Sequence, residues 1–340
     1  MKYALSKMLA LLLICLVFTG AAWGASRPSA PDGWVSGVGA SDAADPVKAG
    51  SEAAAMAKAA LGGNPAKFVM VVAAIPQITP ELLKGVTEHF PAEIVYGGQV
   101  TSPLTRYGNY PDYKTLDIDA GVAVWALGGT TEVYLAEVST VREDDDDVYY
   151  NAGIELAEKL KEALDKSSRS GKIVLTWGDQ YTGSNKDFAQ GLNDGFGRIW
   201  PIVGGASGNT TAKVIVRGEI KTGVNVGMVM AGDFSLGQAM NGGTHTPETA
   251  DKTLSQALEE GEGEPFFALV FNCRRRRQGM IDSGELGMEL EAIRKRLPST
   301  DFFGFYGPGE IGSQKFGEKA QGMGFTVAAA IFFPPKVDTE

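Results

Sequence analysis

Gly304-Phe305-Tyr306-Gly307-Pro308-Gly309-Glu310-Ile311-Gly312 is the stretch around which the chain is organised, because two earlier segments repeat it in shorter form. These are Gly97-Gly98-Gln99-Val100-Thr101-Ser102 and Gly204-Gly205-Ala206-Ser207-Gly208-Asn209. Each follows an apolar run: Ala92 to Tyr96, Ile199 to Val203, and Asp301 to Phe303. Each of those runs follows a helical pattern preceded by a strand-like run. Three copies of a strand, helix, strand and glycine-turn unit thus recur about a hundred residues apart, and internal repetition constrains a fold before any single residue does.

Outward from the turns, the first unit opens on Phe68 to Ala74, apolar and β-branched enough for a buried strand. Thr79-Pro80-Glu81 opens a helix carrying Leu82, Leu83, Val86 and Phe90. Gly121 to Leu127 and Thr131 to Val138 are expected to pair as a hairpin across Gly128-Gly129-Thr130. The second unit has a strand at Lys172 to Trp177 and a helix at Ser184 to Arg198 with Phe188, Leu192, Phe196 and Ile199 on one stripe. Strands follow at Ala212 to Val216 and Gly223 to Met230, then a helix capped at Thr246-Pro247-Glu248. The third has a strand at Phe266 to Phe271, a helix from near Asp282 with Leu286, Leu290, Ile293 and Leu297, and a closing strand at Gly324 to Phe332. This alternation predicts an α/β fold with mixed sheets, built from about three repeated strand-helix-strand-Gly loop-hairpin units.

Residues 1–24 have the form of an export signal: Lys2 and Lys7, an apolar run from Met8 to Phe18, then Ala22-Trp23-Gly24. That run is short for a bilayer span, so a cleaved signal is expected, with an uncleaved anchor as the alternative. Residues 25–64 are expected to be a linker and an N-terminal helix, with Trp34 plugging into the body and Asp45-Pro46 starting the helix. Pro103 to Asp119, with Tyr107, Tyr110 and Tyr113, is either a lid or an ordinary surface loop. The acids Glu143 to Asp147 either enter the next helix, Val148 to Ser167, favourably for its dipole or hold a divalent ion weakly.

The formal net charge is -10, and cleaving a signal that holds two lysines and no acids would make it about -12. A chain this acidic is expected to hold neither nucleic acid by its phosphates nor an anionic bilayer. Of two cysteines, only Cys273 lies outside the signal, so no internal disulfide would form in the cleaved chain. Two isolated histidines, His89 and His245, give no metal-ligand spacing, and no cofactor motif is read.

At the three glycine turns and at Asn272-Cys273-Arg274, the chain resembles the FIST sensory domain family, with its N-terminal and C-terminal parts. The resemblance implies a FIST N-like domain over 65–262, a shortened FIST C-like domain over 263–333 and a tail at 334–340. It also implies a sensory function in signal transduction, binding small molecules such as amino acids, with no established catalytic activity. Two stretches depart from the family pattern. The segment between Asn241 and Glu264 is short, and Lys319 to Gly324 replaces an asparagine-rich ending.

The residues themselves suggest a chemistry. Glycines after a strand let backbone amides approach a carboxylate or phosphate. Gly97, Gly98, Gly204, Gly205 and Gly309 would line such a site, with Tyr306 and the hydroxyls of Ser102, Ser207 and Thr210. Arg274 would pair with a carboxylate and Glu310 with an ammonium, together suiting a small polar zwitterion. The alternatives are that the glycines only make tight turns, and that the run Arg274 to Arg277 is solvated. A second function class, a thiol-dependent hydrolase using Cys273 and His245, stays open because the basic run beside Cys273 would activate an exposed thiol.

Overall fold

The computed structural model describes residues 30–74, 76–106, 121–141, 147–181, 183–208 and 211–336. The expected signal, the three tyrosines of the first excursion, Glu143 to Asp146 and Thr210 lie outside these residues.

Three mixed sheets hold the chain together. The first contains β1 (Trp34–Ser41), β2 (Ala66–Ala74), β3 (Val95–Val100) and β5 (Val122–Gly129). The second contains β6 (Glu132–Ser139), β7 (Gly171–Gly178), β8 (Ile202–Ala206) and β11 (Val224–Gly232). The third contains β12 (Ser235–Gly242), β13 (Phe267–Cys273), β14 (Asp301–Gly307) and β17 (Thr326–Phe333). Each repeats one order: an outer strand, then an antiparallel strand, then a parallel pair, as in β1-β5-β2-β3, β6-β11-β7-β8 and β12-β17-β13-β14.

The parallel pairs are then extended by strands from another unit. The turn after β3 sends β4 (Ser102–Thr105) to β14, the turn after β8 sends β9 (Val214–Val216) to β3, and the turn after β14 sends β15 (Glu310–Gly312) to β8. The short strands β10 (Glu219–Lys221) and β16 (Gln321–Met323) pair with β9 and β15. Strand exchange is therefore cyclic, which makes the three units one interlocked body.

The hairpin expected between Gly121–Leu127 and Thr131–Val138 is not formed. β5 pairs with β1 and β2, while β6 crosses to the second sheet and pairs with β11. The same crossing takes β12 from β11 to β17. Short connections favour antiparallel pairing, but burying two sheet faces against one another outweighs that local preference.

Seven helices among the described residues cover the outer faces. α1 (Pro46–Ala60) and α2 (Pro80–Thr87) lie on the first sheet, and α3 (Val148–Lys166) and α4 (Ser184–Phe196) on the second. α5 (Glu248–Glu259), α6 (Arg274–Ser283) and α7 (Leu286–Arg296) lie on the third. Asp45 caps α1 by accepting from the Lys48 amide at 2.8 Å, and Thr79 caps α2 by accepting from Leu82 at 3.3 Å. Both caps precede a proline at the first helical position, whose missing N–H would have had no partner. β12 precedes residue 262 yet is the outer strand of the third sheet, and α5 packs on that sheet.

The inner faces of all three sheets meet in one core containing Phe68, Trp125, Trp177, Phe267 and Phe303. Trp125 stacks on Phe267 with centroids 5.2 Å apart, joining first and third sheets, and Trp177 lies 6.1 Å from Phe68, joining first and second. Such pairs add about 0.5–1.5 kcal/mol each beyond the area they bury.

β1 corrects the expected linker. Its sequence, WVSGVGAS, is broken by Gly37 and Gly39 because α1 lies almost on top of it there. A Cβ on Gly37 would stand 2.1 Å from the Ala57 carbonyl oxygen. Trp34 does plug into the body, against Phe234, Phe266, Phe267 and Phe332.

The parallel pairs explain the repeated glycines. Gly97 faces Val71, Gly204 faces Thr176, and Gly304 faces Val270. A Cβ at these glycines would lie 1.8, 2.0 and 1.6 Å from the facing carbonyl oxygens. We expect Gly97→Ala, Gly204→Ala and Gly304→Ala each to lower unfolding free energy by about 3 kcal/mol, as overpacking does. Exposed Met56→Ala should change it by less than about 0.5 kcal/mol. Chemical denaturation of the four variants checks this.

Candidate functional site

The three glycine segments do meet. The Thr101 amide donates to the Tyr306 carbonyl at 2.9 Å, and the Ala206 amide donates to the Gly309 carbonyl at 2.8 Å. A Cβ on Gly98 would touch Ser207 Oγ at 3.0 Å, and one on Gly205 would touch the Phe305 ring at 2.8 Å. Gly97, Gly98, Gly204 and Gly205 are buried strand residues rather than loop residues. The strands need them small so that backbones can cross closely, and the junction holds Phe271 and Phe305 in edge contact at 5.0 Å. Ser102 and Ser207 are buried beside this junction.

The register makes Ala74, Asp179 and Cys273 equivalent, since each lies three residues beyond the position that faces the repeated glycine. Ala74 and Cys273 end the first strand of their parallel pairs and Asp179 directly follows β7, at the carboxyl edge where α/β sheets commonly bind ligands. The first unit has a methyl group there; the other two have titratable groups.

In the third unit, Cys273 precedes α6, and the amides of Arg275, Arg276 and Phe325 point at its sulfur. Burial nonetheless pushes the thiol up, and the nearby Glu310 charge adds to this. Glu310 is fully buried. Its Oε2 accepts from the Thr326 hydroxyl at 2.6 Å and the Thr326 amide at 3.2 Å, while its Oε1 has no hydrogen-bond partner. Burial pushes this carboxyl up to about 8, against the pull of the Thr326 bonds and the Arg276 cation. Burial thus favours its protonated form, which can donate as well as accept.

Arg274, expected to meet a carboxylate, is exposed on the first turn of α6. Arg276 points inward instead, donating to the Thr244 and Thr246 carbonyls at 2.9 and 2.8 Å. Its Nη2 stands 2.8 Å from Glu289 Oε1, an ion pair lacking hydrogen-bond angles at that oxygen. Glu289 Oε2 accepts from Tyr306 Oη at 2.7 Å and from Asn272 at 3.0 Å. Tyr306 and Arg276 thus belong to a buried network that fixes α6 and α7 on the sheet. The arginine run is the start of a helix, half solvated and half buried: Arg277 is also buried, its guanidinium 5.8 Å from the Tyr306 ring.

A cleft of about 800 Å³ opens beside this cluster, lined among others by Met240, Asn241, His245, Lys315, Glu318, Met323 and Phe325. Phe325 has φ 62, a left-handed backbone that a bulky side chain adopts only under strain. Its ring meets His245 edge-on at 5.3 Å, and the Arg275 guanidinium lies 5.5 Å from it. The next residue is Thr326, the partner of Glu310. His245 is exposed and packs over Gly279 on α6. Among the described residues no hydrogen bond joins it to Cys273, which is itself buried.

The second unit carries a cluster that the glycine pattern does not announce. Asp179 is buried and raised to about 6, by burial above all. Only the placement of Asp179-Gln180 at the end of an apolar run, matched to Cys273 in the repeat, signals it in the sequence. No group of three or more potential metal ligands occurs among the described residues.

The fold is a three-unit α/β domain with polar clusters at the ends of its central strands. Residues 67–249, more than half of the chain, match the model of the FIST N domain, and the chain belongs to the FIST family, a family of sensory, ligand-binding domains. No relative among curated proteins matches it. A crystal structure of cyanuric acid hydrolase from A. caulinodans aligns with 89% of this chain and 100% of its own, at 10% identity and a TM-score of 0.45.

Two outcomes follow. Glu310 favours folding while both states are protonated, and this contribution is lost as pH rises from the ordinary carboxylate value of about 4.3 to about 8. Glu310→Gln should therefore melt higher than the parent near pH 8 and lose that advantage near about pH 4, as followed by circular dichroism. Glu289→Ala strands the Arg276 charge and should cost about 3–5 kcal/mol, whereas Arg274→Ala should cost less than about 0.5 kcal/mol in the same denaturation assay.

Proposed function

We propose that this FIST protein is an exported sensory domain that binds a small zwitterion of the amino-acid class in the cleft between β12, the β15–β16 turn and Phe325. The observation that carries this reading is Phe325, held at φ 62 on the cleft wall between His245 and Arg275. Strain of that kind costs about 1–3 kcal/mol and persists where the surroundings require it. The cleft volume of about 800 Å³ lies within the range of small-molecule sites.

The lining suits a zwitterion. Lys315 and His245 offer donors to a carboxylate, Glu318 and the Asn241 carbonyl accept from an ammonium, and Met240, Met323 and Phe325 face apolar atoms. The ligand class accords with the zwitterion chemistry read from the sequence, with Lys315 and Glu318 in place of Arg274 and Glu310. Glu310 sits behind the wall and holds Thr326, so its protonation state couples to the position of Phe325. Export is supported by the sequence of residues 1–24 alone. A partner that relays ligand binding would meet an acidic surface.

A thermal-shift screen of the twenty amino acids and small organic acids tests this. At least one should raise the melting temperature of the parent chain by about 4 °C or more at a hundred times its Kd. Phe325→Gly, which relieves the backbone strain while removing the wall, should remain folded and lose that shift. No stabilisation by any of these compounds, or equal stabilisation of Phe325→Gly, contradicts the assignment.

A further inference from the structure

We propose a second ligand site at the carboxyl end of β7, formed by Asp179, Asn225 and Tyr149, which takes the protonated amine of a small solute carrying a neutral hydrogen-bonding group. The argument starts from polar atoms shut away from water without partners. Asp179 Oδ1, Asn225 Oδ1 and Nδ2, and Tyr149 Oη are all shut away from water without a hydrogen bond of full geometry, although the Asn225 amide lies close enough to lower the Asp179 carboxyl and Ser184 close enough to lower the Tyr149 hydroxyl. Gln180, the next residue along, is buried with both amide atoms equally unpartnered. Natural folds satisfy nearly all such groups, and each exception calls for a cause such as a ligand or bound solvent. Here four residues on three segments leave six atoms unmet in one region.

The groups are neighbours. Asn225 pairs with Gly178 in the ladder, so closely that a Cβ on Gly178 would meet Asn225 Oδ1 at 1.9 Å. The Asp179 amide donates to the Val224 carbonyl at 3.2 Å. The Asp179 charge is felt by Tyr149, on the first turn of α3, whose hydroxyl burial and that charge push up to about 12. The Thr140 hydroxyl donates to Asp179 Oδ2, leaving Oδ1 as the open face of the carboxyl.

The charge balance selects the ligand. Among the described residues, no lysine, arginine or histidine forms an ion pair with Asp179. A buried carboxylate without a cation is unfavourable, and the group answers by holding a proton. A ligand ammonium supplies the missing charge and donates to Asp179 Oδ1 and Asn225 Oδ1, while the Tyr149 hydroxyl and Asn225 Nδ2 donate to a carbonyl on the same molecule. As the ammonium enters, Asp179 gives its proton to solvent. The position equivalent to Asp179 in the third unit is Cys273, beside the cleft assigned above, so the repeat presents the same strand end in two chemistries. This site does not depend on the Phe325 cleft.

Calorimetric titration of the full chain with glycinamide, and with glycolamide as its neutral hydroxyl counterpart, tests the proposal near pH 6 in two buffers of different protonation enthalpy. Glycinamide should bind about tenfold or more tightly than glycolamide, with release of about half a proton, because Asp179 is then half protonated. Asp179→Asn should abolish both the preference and the proton release, and Asn225→Ala should weaken glycinamide while leaving proton release intact. Phe325→Gly should change neither. Failure of the folded parent to bind glycinamide, equal affinity for the two probes, or undiminished binding and proton release in Asp179→Asn overturns the proposal.

Discussion

The close crossing of each parallel strand pair at a glycine is the constraint on which the rest of the structure depends. At Gly97, Gly204 and Gly304 the facing carbonyl oxygen occupies the space of a side chain. Backbones that close allow the chain to leave each sheet at the common junction and add its next strand to a neighbouring sheet. Cyclic exchange of this kind gives no unit a complete sheet of its own, so the apolar inner faces are buried together or not at all. The central aromatic core and the outward helix pairs both follow from that arrangement.

The same junction decides where polar chemistry can sit. Its middle is filled by Phe271 and Phe305, and the Thr101 and Ala206 amides are spent on neighbouring carbonyls. Titratable groups lie instead at the ends of β7 and β13, just outside the crossing, where equivalent positions carry Asp179 and Cys273. At both ends burial raises a carboxyl well above the ordinary range, Asp179 to about 6 and Glu310 to about 8. Shifts of this kind, caused by burial, cluster at functional sites.

Much of the fold was legible because its strands are long apolar runs and its helices have clear stripes and caps. Asp45-Pro46 and Thr79-Pro80 mark helix starts directly, and the repeated glycines reveal the three units. What stayed hidden was pairing between elements distant in sequence. β5 and β6 look like a hairpin because a short glycine turn joins them, and only packing between sheets sends β6 away. β1 looks like a linker because the helix above it leaves no room for a side chain at Gly37 and Gly39. At the site, the meeting of the glycine segments and the presence of Glu310 could be anticipated. Which arginine turns inward could not: Arg274 and Arg276 differ by two positions on one helix turn, and the choice rests on Glu289 and on carbonyls of the chain around Thr244. Asp179 was missed because no motif surrounds it, and its meaning comes from burial beside Asn225.

Ligand occupancy of the cleft at Phe325 is the claim most open to direct test, by mapping amide chemical shifts of the isotopically labelled chain as an amino-acid mixture is added. Binding there predicts the largest movements at Asn241, Lys315, Phe325 and Thr326, with the central strands unmoved. A spectrum in which these four resonances stay fixed while the mixture saturates the protein would contradict it.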